Sequence, residues 1–311
     1  MISIGARAAA RRDRGGNKRA PKPIEVQFRT IVSPHQLNSR WGRRIYWLVL
    51  VSVLVLFTLA FVFPLYWMAT GALKTPEELA QMPPTLFPAD PSPEAFFEAW
   101  DLFDIGTLLF NTAYYSLGGW VVCMAVDVSA AYALSKLRPM FGGVILGMML
   151  ATLMIPAMVV LIPLYVTVVD LGLLNNPWAL WLPAAANGFN IFLLKRFFDS
   201  IPRELIEAAQ IDGAGAVRTL LSVVLPVSRP ILGVVSIFTI VTSFKDFVWP
   251  LLVMTDSEKM TISVGLSQTA GAVTQNQVMG GLLITSIPMI IVFFIFQRHI
   301  MAGLTAGSIK G

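Results

Sequence analysis

Residues 204–226 read ELIEAAQIDGAGAVRTLLSVVLP and interrupt a mostly apolar chain with acidic and small residues. Ser200 can cap a helix here, and Glu204 complements the positive end of its dipole. Gly213 and Gly215 predict the end of that helix, because glycine readily adopts the left-handed conformation of helix exits. The apolar stretch that follows is about ten residues long, too short to cross a bilayer. The segment therefore predicts two short helices joined by a glycine turn at a membrane surface.

The composition around this segment indicates a membrane protein. Of 311 residues, 56% are hydrophobic and 13% are charged, and the mean hydropathy is +0.69. A soluble domain carries about 25% charged residues to cover its surface. Cys123 is the single cysteine, so no intramolecular disulfide is expected. These figures exclude an ordinary soluble enzyme.

Six apolar stretches are long enough to be predicted as transmembrane helices. Each approaches the ~20 residues that cross a bilayer. They cover residues 45–68, 107–134, 142–169, 178–198, 231–254 and 279–296. Pro156 and Pro163 are expected to kink the third. The predicted fold is an all-α integral membrane protein with six transmembrane helices and a cytoplasmic helix–turn–helix. Its parts are a basic tail (1–44), a transmembrane domain (45–311), the interrupting segment (203–228) and a C-terminal tail (297–311).

The basic residues predict the orientation. With the N-terminus inside, 20 of the 23 Lys and Arg residues fall on the cytoplasmic side, eleven of them before residue 45. Lys74 and Lys259 fall outside, and Lys245 lies within the fifth predicted span. Both termini are therefore expected in the cytoplasm, and the chain in the cell membrane. The tail lacks a basic patch interleaved with aromatic residues, so nucleic acid is not the expected partner.

Motifs for catalysis and for bound cofactors are missing from the sequence. It contains no G-x-x-x-x-G-K-[ST] phosphate loop and no G-x-S-x-G elbow. His35 and His299 lie near opposite ends and do not form a pair with zinc spacing. The chain is expected to be non-catalytic, without a metal or a cofactor of its own.

Polar side chains inside the predicted spans are candidates for a translocation path, because burying them in a membrane is costly. The candidates are Asn111, Asp127, Asn187, Asn190, Lys245, Asp246 and Trp249. Structural alternatives stay open for each. Lys245 and Asp246 can pair with each other, and Asp127 can accept hydrogen bonds from Ser129 or from a neighbouring helix. The asparagines can join helices, and Trp249 can anchor a span at the interface.

The stretch EAAQIDGAGAVRTLLSVVLP resembles the EAA motif of ABC importer permease subunits. Two positions differ from that motif: Val223 replaces the usual Ile, and Leu220 replaces a Phe that is frequent there. FKDFVWPLLV (244–253) is similar to W-N-D-F-L-W-P-L-L in the MalG-like carbohydrate permeases, and QRHIMAGLTAGSIKG (297–311) to their C-terminal ending. The resemblance covers about residues 45–311 and implies a type I ABC importer fold. The residues that it assigns to ATPase coupling are Glu207, Ala208, Ala209, Asp212, Gly213, Ala214, Leu220, Leu225 and Pro226.

The resemblance also implies partners in a prokaryotic cell membrane. These are a second permease subunit in a heterodimer, two ATPase subunits that hold ATP and Mg, and an extracellular solute-binding protein. The outer loop 255–278 is implied to meet that binding protein, with Ser267, Gln268, Thr269, Gly271 and Gln275 as contact candidates. The implied function is ATP-driven import of a sugar.

Alternatives to sugar import remain at this point. Lys245 stands where related permeases often carry Asn, and a cation there favours an anionic solute of the glycerol-phosphate type. Two other classes are an ion-coupled secondary transporter, which would use Asp127 or Lys245 as a relay, and a membrane scaffold for a cytoplasmic complex.

Overall fold

A computed structural model describes the backbone of residues 40–308 and the side chains of residues 40–297. The basic tail up to residue 39 and the side chains of the C-terminal tail beyond Gln297 lie outside the described residues. All regular secondary structure in the described residues is helical, without a β-strand. It divides after Phe61 into two compact units. The described part of the first unit, residues 40–61, is the beginning of helix α1, and its apolar side chains are exposed.

Most helices follow one another with short connections, and the longest, residues 80–93, lies between α2 and α3. They are α1 (Arg40–Ala72), α2 (Pro76–Leu79), α3 (Glu94–Leu102), α4 (Ile105–Tyr132), α5 (Gly142–Thr152), α6 (Ala157–Asp170), α7 (Trp178–Ala184), α8 (Gly188–Asp199), α9 (Arg203–Ile211), α10 (Ala216–Thr219), α11 (Leu225–Val227), α12 (Arg229–Lys245), α13 (Val248–Val253), α14 (Ile262–Thr269) and α15 (Gln275–Ser308). Two π-helical turns, Ala133–Leu137 and Leu220–Val224, continue α4 and join α10 to α11. Two 3₁₀ turns, Ser257–Lys259 and Ala270–Ala272, flank α14.

Three helical stretches are long and apolar enough to cross a membrane: Arg40–Ala72, Ile105–Leu137 and Gln275–Gln297. Two bent pairs raise the number to at most five within the part of the chain that the structure describes. The predicted total of six spans is therefore not reached by length and composition, and that count stays a prediction. The predicted fourth span is divided between α7 and α8, with the helical pattern interrupted before Gly188.

Proline accounts for one of the two bends. Helices α5 and α6 meet at 101°, and Pro156 is the residue that precedes the first turn of α6. The kink predicted at Pro156 is confirmed, because proline cannot donate the backbone hydrogen bond that would continue α5. Pro163 lies inside α6. The second bend, 86°, lies at Ser228 between Ala216–Val227 and Arg229–Lys245.

Buried apolar side chains of the second unit form three clusters. The first joins α4, α8 and α12 through residues such as Val128, Leu194 and Val235. The second packs α3 and the start of α4 against the segment around α14, and the third joins α4, α6, α7 and the end of α13. The first cluster also holds Val224, with Leu220 and Leu225 packed against it. The interrupting segment is thus anchored to the main helices by its second half.

Candidate functional site

A cavity of about 480 Å³ lies among α4, α7, α8, α12 and α13. Its lining combines hydroxyl groups, amides, aromatic rings and one carboxylate. The polar and aromatic lining residues are Thr112, Tyr115, Ser116, Trp181, Asn187, Phe189, Asn190, Phe238, Thr239, Thr242, Ser243, Asp246, Trp249 and Thr261. Of the described residues that line it, none is Lys, Arg or His.

Two tryptophans stand at fixed positions in the cavity wall. Trp181 Nε1 donates to the carbonyl of Tyr115 at 3.0 Å, and Trp249 Nε1 donates to the carbonyl of Ala179 at 2.9 Å. The Trp181 ring rests on α4 at Gly118, where an added Cβ would lie 2.2 Å from its Cζ2 atom. Both indole N–H groups are satisfied by the protein, and both rings line the cavity, where they can contact a solute. Such rings stack on the apolar faces of ligands.

Asp246 supplies the carboxylate because α12 ends one residue before it. Its backbone is extended, with ψ 131°, and α13 begins only at Val248. The carboxyl group lies within reach of the backbone N–H groups of Phe247 and Trp249, which can donate to it. The break therefore presents a half-buried acceptor to the cavity.

The neighbouring Lys245 does not line the cavity. It is the last residue of α12 and is exposed. Among the described residues it forms no ion pair within 4.0 Å, so the Lys245–Asp246 pair considered from the sequence is not present. The cation and the carboxylate lie in different surroundings although they are adjacent in sequence.

Asp127 is fully buried and is the centre of a hydrogen-bond network between α4 and the start of α8. One carboxylate oxygen accepts from the backbone N–H of Asn187 at 2.9 Å. The other accepts from Asn190 Nδ2 at 3.0 Å and from the Cys123 thiol at 3.0 Å. Ser129 donates instead to the carbonyl of Ala125 in its own helix. The alternative in which a neighbouring helix supplies the donors is therefore the one observed.

The three predicted asparagines lie in two places. Asn187 and Asn190 line the cavity, and the side-chain oxygen of Asn187 caps α8 by accepting from the N–H groups of Phe189 and Asn190. Asn111 lies outside the cavity. Its amide donates to the carbonyls of Glu258 at 2.8 Å and Met260 at 3.1 Å, which fixes the loop before α14 to α4.

The structure brings together four of the seven path candidates in the cavity wall: Asn187, Asn190, Asp246 and Trp249. Asn111, Asp127 and Lys245 are not part of it. Sequence reasoning did not select the hydroxyl-bearing face of α4. Thr112, Ser116, Gly119 and Cys123 follow one another at helical spacing of three or four, with Tyr115 beside Ser116, and that spacing in an apolar helix could have identified them.

The interrupting segment forms two helical pieces around a left-handed glycine. Helix α9 begins after Pro202, whereas Ser200 ends the preceding helix α8 and bonds to the carbonyl of Phe197, so the cap predicted for Ser200 is wrong. Gly213 has φ +78°, as predicted for a helix exit. The turn is closed by hydrogen bonds from Gly213 N–H to Gln210 and from Ala214 N–H to Ala209.

Exposure divides the coupling candidates in this segment. Glu207, Ala208, Asp212, Gly213 and Pro226 are exposed, and Ala209, Ala214, Leu220 and Leu225 are half-buried. Around the turn, Ile211 is 86% exposed and Val217 is 70% exposed. Large apolar side chains left this open beside acidic groups are typical of surfaces that another protein covers.

The predicted binding-protein contacts lie around α14 and the start of α15. Ser267, Gln268, Gly271 and Gln275 are exposed, and Thr269 is half-buried. The loop before them is held to α4, since Thr112 Oγ1 accepts from the N–H of Ile262 at 2.8 Å. Within the described residues, no group of three or more His, Cys, Asp or Glu side chains is arranged to hold a metal ion.

Comparison with known proteins places the chain in one family. Residues 128–305 match the family described as "Binding-protein-dependent transport system inner membrane component". The chain is 33% identical over 262 residues to the probable ABC transporter permease protein YurM of Bacillus subtilis, covering 83% of this chain and 87% of that protein. It is 31% identical over 262 residues to the sn-glycerol-3-phosphate transport system permease protein UgpE of Yersinia pestis, covering 81% and 93%.

Further similarities extend to an oligosaccharide permease and to a solved structure. The melibiose/raffinose/stachyose import permease protein MelC of Bacillus subtilis is 29% identical over 253 residues, covering 80% of this chain and 91% of that protein. The crystal structure of a bacterial ABC transporter involved in the import of the acidic polysaccharide alginate contains a chain that superposes with a TM-score of 0.74. The chain in that crystal structure is 28% identical to the present one. The match covers 84% of the present chain and 98% of the chain in the crystal structure.

Proposed function

The chain belongs to the family of binding-protein-dependent transport system inner membrane components, the permease subunits of ABC importers, and from that premise we propose that it conducts a neutral sugar. It would form half of the translocation path with a second permease subunit. Two ATPase subunits would bind ATP and Mg on the cytoplasmic side, and a solute-binding protein would deliver the sugar from outside. Both termini would lie in the cytoplasm of a prokaryotic cell.

The residues that line the cavity support a neutral sugar as the solute. Hydroxyl groups of Thr239, Thr242 and Ser243, together with the Asp246 carboxylate, offer the donors and acceptors that sugar hydroxyls require. Trp181 and Trp249 supply flat apolar surfaces for a sugar ring. A phosphate or carboxylate ligand would lie beside the Asp246 carboxyl group, and no described lining residue supplies a cation to compensate the charge of the ligand. The names of relatives do not decide this, since they include both neutral and acidic cargoes.

A glycerol-phosphate-type solute is the second candidate. It is favoured by the 31% identity to UgpE, whose name states that cargo. In that case a cation would have to reach the solute, and Lys245 at the end of α12 is the nearest in sequence to the cavity wall. The exposed ammonium would then turn towards the path during transport.

Uptake by the assembled importer in proteoliposomes separates the two candidates. The panel contains a neutral disaccharide, a neutral trisaccharide and sn-glycerol 3-phosphate. We expect uptake of a neutral sugar that Asp246→Asn weakens by about tenfold in KM, the scale of one lost charged hydrogen bond. Lys245→Asn is the matched control one residue away and should leave KM and selectivity unchanged. Uptake of sn-glycerol 3-phosphate that Lys245→Asn abolishes would establish the second candidate instead.

The segment 203–228 is proposed as the contact with the ATPase. Its exposed turn combines apolar side chains, Ile211 and Val217, with the carboxylates of Glu207 and Asp212. An exposed turn of this kind is complementary to a cleft on the partner that is apolar at its centre and basic at its rim. ATP binding and hydrolysis would take place wholly on the partner, and this chain would convert the partner's closure into helix movement.

The packing of this segment suggests how movement would reach the cavity. Leu220 and Leu225 pack against the cluster that contains Val128 of α4 and Leu194 of α8. Both helices also contribute to the cavity wall. Because packed interiors transmit displacement rather than absorb it, a push on the turn would shift α4 and α8 together. The result would be alternating exposure of the cavity to the two sides of the membrane.

Glu207 tests the coupling proposal directly. Glu207→Lys reverses an exposed charge beside the turn, and we expect it to abolish ATPase activity stimulated by the loaded binding protein. Glu204→Lys makes the same charge change three residues earlier on α9 and should have a smaller effect. Binding of the ATPase subunits is measured in parallel by co-purification. Normal stimulated activity in Glu207→Lys would refute the role of this segment.

The outer contact is proposed to act on the same helix from the other end. Asn111 and Thr112 of α4 bond to the backbone around α14. A solute-binding protein seated on Ser267, Gln268, Thr269, Gly271 and Gln275 would therefore press on a loop that is tied to α4. Helix α4 would thus be displaced both by docking of the binding protein outside and by closure of the ATPase subunits inside.

A further inference from the structure

A second groove lies at the end of α4 that the charge pattern assigns to the cytoplasm. Its volume is about 390 Å³. It is formed where the π-helical turn after α4, the connection to α5 and the last turn of α8 meet. The lining residues are Leu134, Ser135, Arg138, Pro139, Gly142, Gly143, Leu146, Lys195 and Asp199.

The charge in this groove is predominantly positive. Arg138 and Lys195 line it, and the Asp199 carboxylate is already bound, accepting from Ser135 Oγ at 2.7 Å and from Lys195 Nζ at 2.7 Å. Arg138 uses only Nε within the described residues, donating to the carbonyl of Ser135 at 3.3 Å. Its two terminal NH₂ groups remain for an anion. Lys136 lies close enough to both Arg138 and Asp199 to interact with their charges.

Arg138 occupies a backbone conformation that arginine does not favour. Its φ is +50° and it ends the π-helical turn, a position where glycine or asparagine would be less strained. Non-glycine residues held in this region cluster at binding and active sites. This conformation places Arg138 in the lining of the groove.

The opposite wall of the groove is open backbone. Gly143 is the second residue of α5, and an added Cβ there would meet nothing within 4 Å. Phe141, which precedes the helix, provides no side-chain cap. The N–H of Gly142 donates to the carbonyl of Pro139 and the N–H of Ile145 to that of Phe141, which leaves the N–H groups of Gly143 and Val144 at the helix start for an anion. An anion between Arg138 and this turn would accept hydrogen bonds from the guanidinium on one side and from backbone N–H groups on the other.

An apolar surface adjoins the groove. Leu137 is 56% exposed, Met140 88% and Phe141 63%. Leu137 ends the apolar stretch of Ile105–Leu137, and the next apolar helix starts at Gly142, so the groove lies where a membrane surface would be. Cations next to exposed apolar side chains at that depth match a molecule with an anionic head and hydrocarbon chains.

We propose that this groove binds the headgroup phosphate of an anionic phospholipid of the inner leaflet. The phosphodiester would lie between the Arg138 guanidinium and the first turn of α5, with Lys195 at its edge. The acyl chains would lie along Leu137, Met140 and Phe141. This site is separate from the transport cavity and does not depend on which solute is carried.

Native mass spectrometry of the assembled importer in detergent tests the proposal. The probes are phosphatidylglycerol, phosphatidylcholine and inorganic phosphate. We expect phosphatidylglycerol to be retained more tightly than phosphatidylcholine. Millimolar inorganic phosphate should not displace it, because free phosphate lacks the apolar contacts. Displacement by phosphate would show that the site recognises a free anion and would overturn the lipid assignment.

Three variants separate lipid binding from a structural role of Arg138. Arg138→Gly removes the charge while relieving the strained backbone, and should weaken phosphatidylglycerol retention about fivefold, the contribution of one cation near a membrane surface. Arg138→Lys keeps the charge and should retain most of the binding. Gly143→Asp places a carboxylate in open space at a helix start, where it suits the dipole, and should abolish binding without loss of thermal stability.

Arg196→Gln is the matched control, because Arg196 is an exposed cation on the same predicted side and does not line the groove. It should bind phosphatidylglycerol as the unaltered chain does. Equal retention by Arg138→Gly, Gly143→Asp and the unaltered importer would overturn the proposal. So would equal retention of phosphatidylcholine and phosphatidylglycerol.

Discussion

The carboxylate of Asp127 accepts a hydrogen bond from the side-chain amide of Asn190 at 3.0 Å, which joins α4 to the first turn of α8. The same carboxylate accepts from the Asn187 backbone and from the Cys123 thiol. Asp127 thus satisfies three donors around the point where the helical pattern breaks before Gly188. An acidic residue in an apolar helix here positions the cavity wall rather than lining it.

Asp127→Ala should lower the free energy of unfolding by about 2 kcal/mol, because it leaves buried donors without an acceptor. Thermal unfolding in detergent measures the change. Ser129→Ala, two residues along α4, is the control: Ser129 is exposed and bonds only within its helix, so its loss should be nearly neutral. Equal stability of the two variants would contradict the network's role.

Gly118→Ala should displace Trp181 and distort the cavity. The added Cβ would lie 2.2 Å from Trp181 Cζ2, and the ring is held in place by its bond to Tyr115. We expect a shift in tryptophan fluorescence and weaker solute uptake. Gly147→Ala, at a position in α5 with nothing within 4 Å of the new Cβ, should fold normally or be stabilised by about 0.5–1 kcal/mol. Unaltered fluorescence in Gly118→Ala would show that the ring is free to move.

Gly213→Ala should impair coupling through backbone strain alone. Its φ of +78° disfavours any side chain, by about 1 kcal/mol for Ala, while no atom stands within 4 Å of the new Cβ. We expect reduced ATPase stimulation in the assembled importer. Gly213→Asn should be milder, since Asn tolerates this region, and Gly215→Ala, at φ −70°, should be close to neutral. Full stimulation in Gly213→Ala would mean that the turn conformation is dispensable.

The ionised Asp199 carboxylate should stabilise the chain, and this stabilisation should be lost at acid pH. Burial raises the pKa of its carboxyl, but the hydrogen bonds from Lys195 and Ser135 outweigh burial and hold the pKa below the ordinary 3.8. A lowered pKa contributes stability above the unfolded-state value, and that contribution is lost as pH falls through the folded-state value. The difference in thermal stability between the unaltered chain and Asp199→Asn should therefore be present at pH 6 and should shrink below about pH 4. A pH-independent difference would contradict this pairing.

The sequence predicted the features that depend on neighbouring residues. Helical structure, the bend at Pro156 and the left-handed turn at Gly213 follow from local backbone preferences, and the structure agrees with each. Ser200 was predicted to cap the start of α9 but lies at the end of α8. A residue between two closely spaced helices can belong to either helix end, and the sequence does not distinguish them. The six predicted spans were based on hydropathy averaged over each stretch. Averaging does not register interruptions such as the one before Gly188.

The path candidates show the limit of that reasoning. Asn190 and Trp249 line the cavity, whereas Asn111 and Asp127 form contacts between elements. All four are polar or aromatic groups in apolar segments, so composition alone does not separate them. Ser116 and Thr242 were not selected, since single hydroxyl groups are common in membrane helices.

Membrane character, family and the position of the left-handed glycine turn were determined by the sequence itself, because transfer into a bilayer and the glycine conformation depend on local composition. Which side chains face the cavity was decided only by the tertiary structure. Lys245 and Asp246 are adjacent in sequence, yet α12 ends between them, leaving the cation exposed and turning the carboxylate into the cavity. The direction of a side chain depends on where its helix stops and what packs against it, and both are set by residues distant along the chain.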